Sequence, residues 1–205
     1  FHINSYGGIS IMSELRTNKI VPRDGIPAGT SGDLNGGGIL QIVTKFKKDA
    51  GTLTSSYTQN QEYPISGLSL TIKPSRSSNL IWIQGFVSHN VNSSQQASFY
   101  VARNGTNVSP IGDAGGGNQK RVFASAQGNQ DYYSTWVVKN TPFWFMDNPA
   151  TTSTLTYQVG CIPGTTATHI YINRSERDSS GTGYDYRAVS NICLLYTSPS
   201  PRDLV

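Results

Sequence analysis

Glycine, histidine and carboxylate side chains are where chemistry would have to reside in this chain. Gly112-Asp113-Ala114-Gly115-Gly116-Gly117 has the glycine density of an anion cradle. A phosphate loop needs a following helix and, for a P-loop, Gly-Lys-Ser/Thr; neither is written here, so the segment reads as a β-turn loop. His89 and His169 lie far apart, with no cysteine or second histidine at ligand spacing, and read as structural or surface residues. No metal and no cofactor is expected. There is no Gly-x-Ser-x-Gly elbow to raise a serine nucleophile. Asp113, Asp131, Asp147 and Asp185 are carboxylates of the kind a glycoside hydrolase pairs, yet nothing in their spacing selects a pair. The expectation is a non-enzymatic protein.

Binding chemistry is easier to place. Asp131-Tyr132-Tyr133 and Gly183-Tyr184-Asp185-Tyr186 set tyrosines beside carboxylates in segments that glycine and serine mark as loops. An exposed tyrosine offers a flat apolar face with a hydroxyl rim, suited to sugar or protein at low entropic cost. Tyr132, Tyr133, Tyr184 and Tyr186 are therefore the candidate ligand-binding residues; the competing reading has these rings covering the edges of the core. Trp136, Phe143, Trp144 and Phe145 read as packing residues. Asn92-Ser93-Ser94, Asn104-Gly105-Thr106, Asn107-Val108-Ser109 and Asn173-Arg174-Ser175 match the glycan-acceptor pattern, which a chain this rich in Asn, Ser and Thr also produces by composition alone.

The elements that position these residues are organised around Leu80 to Val87. Alternate side chains on a strand point to opposite sides, so Leu80, Trp82 and Phe86 load one face and Ile81, Ile83 and Val87 the other. A strand apolar on both faces belongs in the middle of something. Most other candidates are amphipathic with period two: Ile39 to Phe46, Leu53 to Tyr57, Leu68 to Ile72, Ser98 to Arg103, Arg121 to Ala126, Thr135 to Val138, Phe143 to Met146, Leu155 to Cys161, His169 to Asn173 and Arg187 to Ile192. Asn104-Gly105 is the strongest hairpin signal, and no amphipathic helix is evident. The spacing predicts an all-β chain, an antiparallel β-sandwich that is jelly-roll-like, preceded by an extended N-terminal arm.

The 205 residues correspond to about one domain, of which only 14% are charged, with a formal charge of +4 and 11 tyrosines. The basic residues form no stripe with interleaved aromatics, so no nucleic-acid partner is expected. No apolar run approaches the roughly 20 residues that cross a bilayer, so no membrane insertion is expected. Residues 12–38 hold Pro22, Asp24-Gly25, Pro27 and a Gly/Ser/Asp-rich run, an extended arm and linker. Residues 39–192 are the sandwich domain. The segment from Cys193 through Asp203 resembles the conceptual translation of a transposase sequencing adapter, so residues 193–205 are expected to be an artefact and the natural sequence to stop near Ile192. Residues 1–11 are expected to be translated leader before a start at Met12, with Gly7-Gly8 at the distance of a ribosome-binding site. Setting Cys193 aside leaves Cys161 alone, so no disulfide is expected.

Particular residues also carry a family likeness. Met12-Ser13-Glu14-Leu15-Arg16-Thr17-Asn18-Lys19-Ile20-Val21-Pro22-Arg23-Asp24-Gly25-Ile26-Pro27 with Gly37-Gly38-Ile39-Leu40-Gln41-Ile42-Val43, and later Asp147-Asn148-Pro149-Ala150-Thr151-Thr152-Ser153, Tyr157 and Tyr171-Ile172-Asn173-Arg174-Ser175, resemble tail-fibre-like virion structural proteins of marine tailed bacteriophages. The likeness spans nearly all of residues 12–192, and its motifs are structural. It implies a virion component, a homotrimer whose arm attaches to other virion proteins and whose head binds a host glycan or outer-membrane protein. Such proteins close with Ser-x-Ile-x, an apolar residue and Met-Glu-Ile; here Ser190-Asn191-Ile192 begins that strand, and Cys193-Leu194-Leu195 is expected to pair into the sheet. The alternatives are a carbohydrate-binding module of a secreted bacterial protein and a capsule or cell-wall hydrolase.

Overall fold

The computed structural model describes residues 39–53, 57–92, 95–113, 121–127, 135–181 and 185–197. The segment 12–38 and the residues Asp131, Tyr132, Tyr133 and Tyr184 lie outside them. Among the described residues eleven strands run in chain order as β1 (Ile39–Lys47), β2 (Gly51–Leu53), β3 (Tyr63–Ile72), β4 (Leu80–Val91), β5 (Gln96–Arg103), β6 (Thr106–Asn107), β7 (Ala124–Gln127), β8 (Lys139–Asp147), β9 (Leu155–Pro163), β10 (Ile170–Ile172) and β11 (Ser190–Thr197). They form two antiparallel sheets packed face to face, the all-β sandwich that the period-two patterning predicts. Among the described residues no helix is long and apolar enough to cross a membrane.

One sheet is built on β4, which pairs with β8 along one edge and with β11 and then β10 along the other; β1 lies outside β11, and β2 outside β10. The second sheet runs β3-β9-β5-β6, with β7 also on β5. β4 is central within its sheet, as its composition requires, and Ile81, Ile83 and Val87 are buried against the second sheet. Each such side chain contributes about 1.5–3 kcal/mol of burial free energy. Its other face is a correction. The expectation of a strand enclosed on both sides fails because the described residues form two layers: Trp82 and Phe86 point away from the core and remain half-buried.

Other elements depart from expectation in instructive ways. Thr135 to Val138 is not a strand; β8 begins at Lys139 and absorbs the shorter Phe143 to Met146 prediction. β3 extends back to Tyr63 across Pro64, through an irregularity between Pro64 and Ser69 where Gln158 Nε2 donates to the carbonyls of Ile65 and Leu68. Asn104-Gly105 makes the predicted hairpin, joining β5 to β6 with φ of 49° and 85°, the left-handed pair of a type I′ turn. Cys193, Leu194 and Leu195 pair with both β1 and β4, as their strand-compatible pattern suggests. Cys161 and Cys193 are free thiols.

Gly85 lets β4, β8 and β11 close up. A β-carbon there would lie 2.3 Å from the Asn191 carbonyl oxygen and 2.7 Å from Phe143 Cζ. The first obstacle is backbone and cannot rotate aside, so Gly85→Ala is expected to destabilise the fold by about 2–3 kcal/mol in urea unfolding. Gly51→Ala, with nothing nearer than 3.8 Å, should stay within about 0.5 kcal/mol. Equal effects at the two glycines would show that strand entropy, not crowding, sets the cost.

Candidate functional site

The sandwich has two distinct ends. Ile39 pairs with Thr197, so β1 begins where β11 finishes, and Leu80 of β4 sits opposite Thr197 in the same zone. At the other end Lys47 pairs with Ser190, and Lys139 with His89. The starts of β8 and β11, which follow the two tyrosine sequences in the chain, therefore both lie at the end remote from where β1 begins.

Their described flanks meet. Arg177 donates its backbone N–H to the Thr135 carbonyl at 3.0 Å, and its guanidinium lies over the Trp136 ring, 4.3 Å from the centroid. Val137 O accepts from Asn90 Nδ2 at 2.6 Å. Asp185 collects Ser175 Oγ at 2.9 Å, Arg177 Nε at 2.8 Å and the Ser179 amide at 2.9 Å. Burial pushes the Asp185 carboxyl up, but these donors outweigh it and hold it below the ordinary carboxylate value of 3.8. Asp178 joins Arg174 and Arg187, and Arg174 in turn covers Tyr171. Of the four tyrosines expected to bind ligand, Tyr186 is described and is 66% exposed beside this network; Tyr132, Tyr133 and Tyr184 fall outside the described residues.

The fate of the other sequence candidates follows from their surroundings. Asp147 is buried under Arg103 and Tyr157, and Asp185 is held by Arg177, so both carboxylates are engaged in the scaffold. Asp113 is exposed in its loop. His89 is buried in the core, whereas His169 is half-buried against Tyr171, and no group of three metal-ligating side chains gathers among the described residues. Burial pushes the Cys161 thiol up to about 12, leaving it protonated and inert at neutral pH. The glycan-acceptor match at Asn173 is overturned: its amide is fully buried, donating to the carbonyls of Lys47 and Asp49 and accepting from Ser190.

A second feature escaped the sequence reading. On the outer face of the β4 sheet, register aligns Ile42, Trp82 and Met146 in one row, Thr44, Gln84 and Trp144 in the next, and Phe46, Phe86 and Pro142 in the third, with β11 placing Leu195, Cys193 and Asn191 between them. Trp144, expected to pack, is instead 66% exposed, because the alternation of β8 sends Phe143 and Phe145 inward and Trp144 and Met146 outward. Ile42 and Phe46 are more than half exposed. Trp144 stacks on Trp82 at 5.5 Å with the rings 17° from parallel, and together with Phe86 and Pro142 they wall a groove of about 460 Å³. The signal available in the sequence was Trp82 and Phe86 at outward parity in one strand, and Trp144 and Met146 in another. Neither a protein-family model nor a curated protein matches the chain.

Proposed function

We propose that the chain is a non-enzymatic virion structural protein, a tail-fibre or related appendage module whose β-sandwich head binds the host cell surface. The observation that carries this reading is the polarity of the sandwich. β1 begins and β11 ends at one end, while the described flanks of the tyrosine segments meet at the other. A module joined at one end can present the opposite end outward. The ion-paired cluster around Asp185 and Asp178 fixes the described loop flanks, which lowers the ordering cost of an encounter. The likeness of residues 12–27 and 147–153 to tail-fibre-like proteins points the same way. Under this reading residues 12–38 join the head to other virion proteins, the assembly is a homotrimer, and the target is a surface glycan or outer-membrane protein bound without covalent chemistry.

The test is immunogold electron microscopy of tailed particles concentrated from the source sample, using antibody raised against the full chain. Label at the tail or another appendage is expected. Label confined to cell-free protein, with particles bare, would sink the virion reading and favour a carbohydrate-binding module of a secreted bacterial protein, which the exposed tryptophan groove independently suggests.

A further inference from the structure

We propose that the groove on the outer face of the β4 sheet is a binding site for a neutral oligosaccharide, with Trp144 as its stacking platform and Gln84 and Asn191 as its hydrogen-bonding groups. The inference rests on reading the sandwich as a recognition head, and it assigns a ligand class to a second surface of that head, on its side rather than at the end where the flanks of the tyrosine segments lie. Trp82 covers one face of the Trp144 ring, so the large exposure of Trp144 belongs to the opposite face and the edge. A free indole face of that kind attracts the C–H face of a pyranose ring.

The polar groups are placed to read hydroxyls. Gln84 Oε1 accepts from Trp82 Nε1 at 3.0 Å, and Asn191 Oδ1 accepts from the Phe86 amide at 3.1 Å. These bonds orient both amides and leave Gln84 Nε2 and Asn191 Nδ2 with no partner among the described residues. No position in the three rows carries a charge, which disfavours an acidic polymer and suits an uncharged one. The rows extend over β1, β11, β4 and β8, three interstrand spacings or about 14 Å, a length that takes an oligosaccharide rather than a single ring.

A second copy of the chain is the rival occupant, since Ile42, Phe46 and Met146 widen the apolar surface. Dry packing of sheet on sheet would bury both amide donors without partners, at about 1–3 kcal/mol each. A sugar's hydroxyls accept from both donors and its ring faces cover the indole. The groove volume falls within the roughly 300–1,000 Å³ usual for ligand sites.

The experiment titrates the full chain with neutral hexasaccharides of β-1,4-glucose, β-1,3-glucose, β-1,4-mannose and α-1,6-mannose, with an alginate hexasaccharide as the acidic control. Tryptophan fluorescence and calorimetry report binding, and sedimentation velocity reports association. At least one neutral hexasaccharide is expected to bind and shift the emission, with affinity reduced at least tenfold by Trp144→Ala and several-fold by Gln84→Ala. Trp144 is exposed, so its replacement leaves the core intact, and unaltered thermal unfolding verifies this. Binding that survives Trp144→Ala, no binding to any neutral probe, preference for the alginate probe, or self-association abolished by Phe46→Ser would each overturn the site. None of those results touches the immunogold outcome, so the site and the virion assignment fail separately.

Discussion

Asp147→Ala lowers the unfolding free energy by about 3 kcal/mol, which for a domain of this size is roughly 10 °C in thermal midpoint. Asp147 sits at the end of β8 in one sheet, while Arg103 on β5 and Tyr157 on β9 belong to the other. Arg103 Nη1 lies 2.8 and 2.7 Å from the two carboxylate oxygens, and Tyr157 Oη donates to one of them at 2.6 Å. The trio is therefore a polar staple between the two layers. An exposed ion pair would contribute at most about 1 kcal/mol. Here the Asp147 side chain is only 10% exposed and Tyr157 is fully buried, so deletion strands a buried hydroxyl as well as a partly shielded guanidinium. Burial, with the hydrogen bond and charge of Asp147 behind it, raises the Tyr157 phenol above its ordinary value, so it stays a donor throughout the accessible pH range. Asp147→Asn keeps an acceptor and the volume and should cost about 1 kcal/mol, close to Tyr157→Phe. Urea unfolding of the single and double variants measures the coupling. An Asp147→Ala loss under 1 kcal/mol, or strict additivity with Tyr157→Phe, would show that the staple is dispensable.

The staple also marks how far the sequence could be read. Local periodicity identified β4, the Asn104-Gly105 hairpin and the alternation of β9, because each of those signals is complete within a few residues. It gave no means of joining Arg103 to Asp147, a pairing that depends on which sheet each strand enters. The outer-face groove failed to appear for the same reason: Trp82, Trp144 and Asn191 come from three strands, and only register makes them neighbours. Asn173 misled because a buried asparagine holding β1 to β11 has the same three-letter pattern as a surface glycan acceptor. Thr135 to Val138 misled because β-branched residues favour strands, whereas here Thr135 and Val137 offer their carbonyls to Arg177 and Asn90 instead of to a neighbouring strand. For the tyrosine segments, the residue types were legible locally; that their described flanks converge at one end of the sandwich was not.

Stability should fall as pH drops from about 6.5 to 4, and His89 is the cause. Its ring lies in the core, tilted against Phe99 with centroids 4.9 Å apart, and Nε2 is 2.8 Å from Thr141 Oγ1. Nδ1 is buried with no partner among the described residues. A bare lone pair costs less than a bare N–H, so the proton belongs on Nε2 and is donated to Thr141. A second proton would have to go on Nδ1, which is buried with no acceptor among the described residues. Burial, with a smaller contribution from the nearby Lys139 charge, accordingly pulls the imidazole down to about 4. The unfolded chain, with an ordinary value near 6.5, binds this proton first. The stabilisation is thus complete above pH 6.5 and is lost progressively as pH falls through 4, amounting to about 3 kcal/mol. Asp185, whose carboxyl is depressed below 3.8, contributes stability present above that value and lost only at lower pH, so the two windows separate. His89→Leu removes the titrating group and keeps an apolar side chain in the core. Urea unfolding at pH 7.0, 5.5 and 4.5 should give a sloping profile for the unsubstituted chain and a much flatter one for His89→Leu; parallel profiles would place the acid sensitivity elsewhere.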